Sequence, residues 1–185
     1  MYLIVGLGNP ENDYSRTRHN MGFEVINKLA KEYEIDLSRN KFDGIYGTGI
    51  IEGEKVILLK PQTYMNNSGE SVIQFKNFYK LEDKDILVIS DDIDIDIESI
   101  RIKRNGSAGS HNGLKSIVHC LQTEDFPRVR VGVGQPKEDE TLVEYVIGYV
   151  PNEEYERLEK GIEKAKEAVK VILKDGIENA MNKFN

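Results

Sequence analysis

The residues best suited to chemistry in this chain are one histidine, one aspartate and three asparagines. Histidine is the side chain whose charge change lies nearest neutral pH, and His19 is one of only three in the sequence. Asp91 could hold the far nitrogen of the His19 ring and stabilise its imidazolium form. Amides bind peptide-like groups and support a carbonyl oxygen that gains charge, without titrating themselves. These amides belong to Asn9, Asn66 and Asn112.

Hydrolysis by a directly activated water is the reaction that these groups indicate. No serine stands in an obvious nucleophile motif, and Cys120 lies inside a helical pattern. As the single cysteine, Cys120 excludes a disulfide within the chain and argues against a cysteine-based metal site. We therefore predict that His19 deprotonates a water. On residue types alone, the alternative stays open that His19 is a capping residue and that the asparagines form turns.

The composition is that of an ordinary folded protein whose charge is unevenly distributed. With 185 residues, 39% of them hydrophobic and 31% charged, the sequence predicts a single domain over residues 1–185. The net charge is −7, yet the segment from Arg101 to Lys137 has seven bases and two acids, a local charge of +5. Such a segment can still bind phosphates. No signal-peptide pattern and no membrane-spanning run is seen, so we expect a cytoplasmic protein without a membrane partner.

Strands alternate with helices in the predicted order of elements. Strands are predicted at Tyr2–Val5, Ile45–Ile51, Lys55–Leu59, Ile86–Ile89 and Arg128–Gly134, the second and third forming a hairpin. Helices are predicted from Asn20 to Tyr33, from the N-cap Ser68 to about Lys80, from Leu114 to Leu121 and from Glu153 to Lys174. This order indicates an α/β fold with a twisted, mixed, mostly parallel central sheet flanked by helices.

The five polar residues fall on loops that such a sheet would bring together. In α/β sheets, ligands bind where loops follow the carboxyl ends of the strands, and the asparagines and Asp91 stand on loops of this kind. Acidic residues alternate with isoleucines from Asp92 to Glu98, which predicts an extended segment with one solvent-exposed face.

Five motifs together resemble bacterial peptidyl-tRNA hydrolase. They are Gly6-Leu7-Gly8-Asn9-Pro10, Thr17-Arg18-His19-Asn20, Lys60-Pro61-Gln62-Thr63-Tyr64-Met65-Asn66, Ser90-Asp91-Asp92-Ile93-Asp94 and Gly109-Ser110-His111-Asn112-Gly113-Leu114-Lys115. They stand in the order and spacing of that family, and the resemblance extends from Met1 through the C-terminal helix. Any one of these motifs is weakly specific, whereas five in register are highly specific.

The resemblance implies an esterase that hydrolyses the bond between the peptide and tRNA of peptidyl-tRNA and so recycles tRNA from stalled or aborted translation. It implies His19 as the base that activates water, Asp91 as its support and Asn9 as a contact near the ester. The other implied contacts are Tyr14, Tyr64, Met65, Asn66 and Asn112 for the peptide and the tRNA end, and Arg101, Lys103 and Arg130 for acceptor-stem phosphates. It also implies a monomer that needs no metal and no organic cofactor.

The sequence departs from the family pattern at three places. Glu11 and Ser110 stand where the family often has glycine, and a proline usual after the catalytic aspartate is missing from Ile93-Asp94-Ile95-Asp96. Ser110 restricts the loop that carries Asn112, unless its backbone torsions are ones that a non-glycine residue tolerates. None of these departures removes a proposed catalytic group.

Three other classes of protein compete with this interpretation. Gly6-Leu7-Gly8 after a strand matches the start of a dinucleotide-binding fingerprint, but Glu11 occupies the third glycine position and the next helix begins too late. Asp92, Asp94 and Asp96 match the start of an EF-hand loop, but Lys103 stands in place of the final glutamate. A non-catalytic RNA-binding domain would use the same basic segment and would not need His19 or Asp91.

Overall fold

The computed structural model describes residues 1–185 and confirms an α/β fold built on a mixed, seven-stranded sheet. The strands are β1 (Tyr2–Gly6), β2 (Arg39–Lys41), β3 (Gly44–Ile51), β4 (Glu54–Pro61), β5 (Ile86–Asp92), β6 (Ile100–Lys103) and β7 (Arg128–Gly132). Their order is β2-β3-β4-β1-β5-β7-β6. The central strands β4, β1, β5 and β7 run parallel, and both margins of the sheet are antiparallel.

Helices cover both faces of this sheet. They are α1 (Met21–Glu32), α2 (Ser68–Tyr79), α3 (Asn112–Leu121), α4 (Leu142–Ile147), α5 (Asn152–Asp175) and α6 (Ile177–Phe184). Ile4 packs in one apolar layer with α1 and α5, whereas its neighbours Leu3 and Val5 pack in a second layer with α2 and α3. All three residues are fully buried, as expected for a parallel strand that is covered on both sides. No helix has the length and apolar character needed to cross a bilayer.

Two glycines allow α1 to approach the ends of β1 and β5 closely. A Cβ atom on Gly22 would overlap backbone atoms of Leu7 and Ile89, and a Cβ atom on Gly6 would overlap the carbonyl group of Gly22. Any larger residue at either position would push the helix off the sheet. The start of α1, and His19 just before it, is therefore held against the carboxyl ends of these strands.

Two local predictions are wrong. After Asp92, which ends β5, the chain turns instead of remaining extended to Glu98, because Oδ1 of Asp92 accepts the backbone N–H of Asp94 at 2.8 Å and bends the chain. Ser68 is the first residue of α2 and not its N-cap, since its hydroxyl donates back to the carbonyl of Met65 at 2.9 Å.

The structure also contains elements that the sequence patterns did not predict. The short helix α4 begins with a capping box, in which Thr141 and Glu144 bond each other's backbone N–H groups. Helix α6 packs Ile177, Met181 and Phe184 against the apolar layer of α1 and α5. These C-terminal apolar residues therefore pack within the chain.

Candidate active site

The predicted polar residues converge at the carboxyl ends of the central parallel strands. Asp91 lies near the end of β5, while Asn9 and Asn66 follow β1 and β4. His19 comes just before α1, and Asn112 begins α3. All five residues line one cleft of about 410 Å³. The sheet thus places side chains from distant parts of the chain around a single space.

A hydrogen bond between His19 and Asp91 decides which ring nitrogen of His19 can act as a base. Nδ1 of His19 lies 2.9 Å from Oδ2 and 3.1 Å from Oδ1 of Asp91. An ionised carboxylate only accepts, so Nδ1 carries the proton and Nε2 keeps its lone pair. The His19 side chain is 12% exposed and lines the cleft, and no protein group bonds Nε2. Nε2 is therefore free to accept a proton from a water in the cleft.

His111, which stands beside Asn112 in the fifth motif, contacts the same carboxylate. Its Nε2 lies 2.8 Å from Oδ1 of Asp91. Its Nδ1 accepts the backbone N–H groups of Gly113 and Leu114 at 3.1 Å and 3.3 Å, so Nε2 must be the donor. His111 thus caps α3 and ties the loop of Asn112 to Asp91. The only signal in the sequence was its place beside Asn112 in the fifth motif.

The two histidines lower the pKa of Asp91, and Asp91 in turn raises the pKa of His19. Burial by itself raises the pKa of Asp91, but the two histidines outweigh it and hold that pKa well below its usual range. Burial by itself lowers the pKa of His19, but the charge and hydrogen bond of Asp91 outweigh it and raise that pKa above its ordinary value. Asp91 is therefore ionised at neutral pH and stabilises the imidazolium form of His19.

The amide of Asn9 is fixed by its neighbours. Its Oδ1 accepts the backbone N–H of Met65 at 2.7 Å, so Nδ2 is the donor that remains for a ligand. Asn20, which sequence analysis did not single out, accepts the backbone N–H of Asn9 at 2.8 Å and donates to its carbonyl at 3.0 Å. By contrast, the side chains of Asn66 and Asn112 are exposed and make no hydrogen bond within the chain.

The remaining predicted contacts divide into two groups. Tyr64, Met65 and Arg130 line the cleft, and Arg130 is held there by Asp92 at 3.4 Å and by the carbonyl of Ser107 at 3.1 Å. Tyr14, Arg101 and Lys103 do not line it. Tyr14 lies half-buried in a short turn, and the two bases lie on β6.

The two positions where the family often has glycine differ in backbone strain. Glu11 has a φ of 85°, which glycine adopts far more readily, and its carboxylate accepts a hydrogen bond from the hydroxyl of Tyr64. Ser110 does not adopt a positive φ. The loop that carries Asn112 therefore tolerates serine without strain.

His19, Asp91 and His111 are also the residues that could hold a metal ion, since one ligand atom from each lies within 4.8 Å of the others. The facing atoms are already joined as hydrogen-bond donors and acceptors at 2.8 to 3.1 Å. A metal ion would have to displace both of these protons. The donor set therefore fits acid–base chemistry as it stands.

A comparison with known proteins decides between the interpretations. The profile of the family described as peptidyl-tRNA hydrolase matches residues 3–185. The chain belongs to the peptidyl-tRNA hydrolase family. It is 56% identical to the peptidyl-tRNA hydrolase of Clostridium botulinum (strain Alaska E43 / Type E3), over 100% of this chain and 96% of that protein. It is 54% identical to that of Clostridium acetobutylicum, over 100% of this chain and 98% of that protein.

The fold agrees with this assignment. A crystal structure of peptidyl-tRNA hydrolase from Acinetobacter baumannii matches with a TM-score of 0.92 and 42% identity, over 98% of this chain and 93% of that one. Membership of the peptidyl-tRNA hydrolase family confirms the predicted activity, which is hydrolysis of peptidyl-tRNA by an enzyme. It also favours the hydrolase over the oxidoreductase, the EF-hand and the non-catalytic RNA-binding domain.

Proposed function

We propose that the protein cleaves the ester of peptidyl-tRNA by attack of a water that His19 deprotonates through Nε2. The observation that carries this proposal is the bond from Nδ1 of His19 to Asp91, which leaves Nε2 as the only free acceptor on the ring. The imidazolium that forms is stabilised by a buried carboxylate whose pKa is already low. The same proton can then pass to the leaving ribose oxygen, so His19 returns to its starting form.

The asparagines bind the substrate around this water. Nδ2 of Asn9 is a fixed donor in the cleft that His19 also lines, where it can support the carbonyl oxygen as it gains charge or bind the neighbouring peptide amide. Asn66 and Asn112 carry unused amides at the rim of the same cleft, where they can bind the peptide or the tRNA end. We propose no metal and no organic cofactor for the reaction.

Three basic side chains on β6 and β7, those of Arg101, Lys103 and Arg130, form a surface that suits the tRNA acceptor stem. Arg101 lies opposite Arg130 and Lys103 opposite Arg128, and such partners point to the same side of a sheet. Arg128 is fully buried and donates to the carbonyls of Ser107, Glu124 and Phe126, so it serves the fold. Arg101 and Lys103 form no ion pair with any carboxylate. They remain available to phosphates, next to Arg130 in the cleft.

We expect the double substitution of Arg101 and Lys103 by alanine to raise KM about tenfold while kcat changes little, because the phosphates are bound but not cleaved. The slope of log(kcat/KM) against log salt concentration should become shallower by about two, roughly one for each lost phosphate contact. The matched control is Arg104→Ala, because Arg104 already pairs with Glu178. An unchanged salt slope in the double variant would place the acceptor stem elsewhere.

The activity itself is tested by release of the acyl group from N-acetyl-aminoacyl-tRNA, with free aminoacyl-tRNA as the comparison. We expect rapid cleavage of the blocked substrate only, since the amides in the cleft suit a peptide-like nitrogen and not an ammonium group. Tight binding of tRNA without any cleavage would favour the RNA-binding domain instead.

We further propose that the protein acts as a cytoplasmic monomer.

A further inference from the structure

Helix α4 forms an apolar wall on one side of the cleft. Leu142, Val143, Val146 and Ile147 all line it. Val143 is 62% exposed and Ile147 is 38% exposed, so this wall offers apolar surface to the cleft instead of burying it in the core. An apolar wall beside carbonyl-binding amides is suited to an apolar side chain of a bound peptide.

The side chain of Arg18 links helix α4 to the rest of the protein. Its side chain is only 8% exposed, and Nη1 donates to the carbonyl of Tyr145 at 3.1 Å. The guanidinium carbon lies 3.9 Å from the centre of the Tyr145 ring, within the range of a cation–π contact. Nη2 donates to Oε1 of Glu154 on α5 at 2.7 Å. Arg18 therefore binds α4 through one residue and α5 through another, and it does not itself line the cleft.

The two residues before Arg18 form backbone hydrogen bonds with the segment that follows α4. Thr17 forms an isolated β-bridge with Tyr149, and the backbone N–H of Val150 donates to the carbonyl of Arg16 at 3.2 Å. The Arg16 guanidinium lies 4.2 Å from the centre of the Tyr155 ring. His19 follows Arg18 in the same short turn, so one segment carries both the base and the attachment of the apolar wall.

We propose that Arg18 is a positioning residue that sets α4 as the binding wall for an apolar side chain of the peptide, next to the ester. This inference rests on the proposed function, because it assumes that the ester lies beside His19. Arg18 acts through α4, so it contributes to binding of the peptide and not to the transfer of the proton. Its loss should therefore affect substrates with apolar side chains more than substrates without them.

The test measures kcat and KM for N-acetyl-phenylalanyl-tRNA and N-acetyl-glycyl-tRNA in the native protein and in Arg18→Lys. Lysine keeps the charge but loses the planar stack on Tyr145 and the forked pair of donors. We expect kcat/KM for the phenylalanyl substrate to fall about tenfold, mainly through KM, and that for the glycyl substrate to fall less than about threefold. The pH at which kcat/KM reaches half its maximum should not change.

Several outcomes would overturn the proposal. An equal loss with both substrates, or a shifted pH midpoint, would mean that Arg18 acts on His19 or on the fold as a whole. If Arg18→Lys does not fold, Val143→Ser takes its place, because Val143 is exposed and its loss should leave the fold intact. An unchanged phenylalanyl-to-glycyl ratio in Val143→Ser would show that α4 is not the peptide wall.

Controls separate this proposal from the proposed function. The matched control is Arg157→Lys, since Arg157 lies on α5 and pairs with Glu98 away from the cleft, and it should leave both substrates unaffected. If the native protein cleaves neither substrate, the proposed function is wrong, and the missing activity is not due to the role assigned to α4. If the native protein cleaves both substrates in a reaction that requires His19, and Arg18→Lys keeps the native ratio of kcat/KM for the two substrates, only the proposal for Arg18 and α4 is wrong.

Discussion

Replacement of His19 by alanine should lower kcat for N-acetyl-aminoacyl-tRNA by at least about 100-fold, as expected when a general base is removed. Nε2 of His19 is the only nitrogen in the His19–Asp91–His111 cluster that has a lone pair and no protein partner. Binding of the tRNA should change little, because the phosphates and the peptide contact other residues. Single-turnover release of the acyl group, with a separate measurement of the Kd for tRNA, checks both statements.

The matched control for this substitution is His119→Ala. His119 is an exposed histidine on α3 and does not line the cleft with His19, so its removal should leave kcat unchanged. If His19→Ala retains full activity, the base lies elsewhere and the proposed mechanism is wrong. If tRNA binding is lost along with activity, the effect on kcat cannot be assigned to proton transfer, and His19 is a binding residue instead.

Substitution of Asp91 by asparagine should lower kcat about 100-fold or more, because it changes the tautomer of His19. Asp91 accepts N–H groups from both His19 and His111, and an asparagine can accept only on its oxygen. His111 must keep its proton on Nε2, since its Nδ1 accepts two backbone N–H groups. The new amide N–H₂ therefore faces Nδ1 of His19, which moves the His19 proton to Nε2 and removes the base.

The dependence of the rate on pH gives a second measure of the same contact. In the native protein kcat/KM should rise with pH through the pKa of His19, because the base must be neutral, and the midpoint should lie above the ordinary value for histidine. In Asp91→Asn the residual activity should show a lower midpoint, since the charge that favours the imidazolium is gone. Asp96→Asn, an exposed acid in the turn after β5, should change neither quantity. A midpoint that stays the same in Asp91→Asn would contradict the assigned contact.

Much of the fold could be predicted from local patterns. The unbroken apolar run after Met1 predicted the first strand, and β1 is covered by helices on both sides. The spacing of Leu158, Ile162 and Val169 predicted the long helix α5 almost to the residue. These predictions succeeded because the period of the apolar residues reflects which face of an element is buried. The short helix α4 was not predicted from these patterns, because it has only six residues and its apolar side chains line the cleft.

The candidate site was predictable only in part. The motifs identified His19, Asp91 and the three asparagines, and these residues do meet in one cleft. The motifs did not indicate that the Asn20 side chain bonds both the backbone N–H and the backbone carbonyl of Asn9, since a buried asparagine and an exposed turn asparagine cannot be told apart in a sequence. Arg128 and Arg130 alternate with apolar residues on β7, yet Arg128 is buried among backbone carbonyls. Outside helix caps, hydrogen bonds from side chains to the backbone of another segment leave no local pattern of residue types.

The sequence by itself determined the order of the main strands and helices and the residues proposed to carry the chemistry, because both depend on residue type and local spacing. Only the tertiary structure decided which partners those residues contact. It brought both His19 and His111 to Asp91 and so fixed both histidine tautomers, and it joined Arg18 to α4. Proton positions and cleft walls depend on contacts between segments far apart in the chain, which no local pattern encodes.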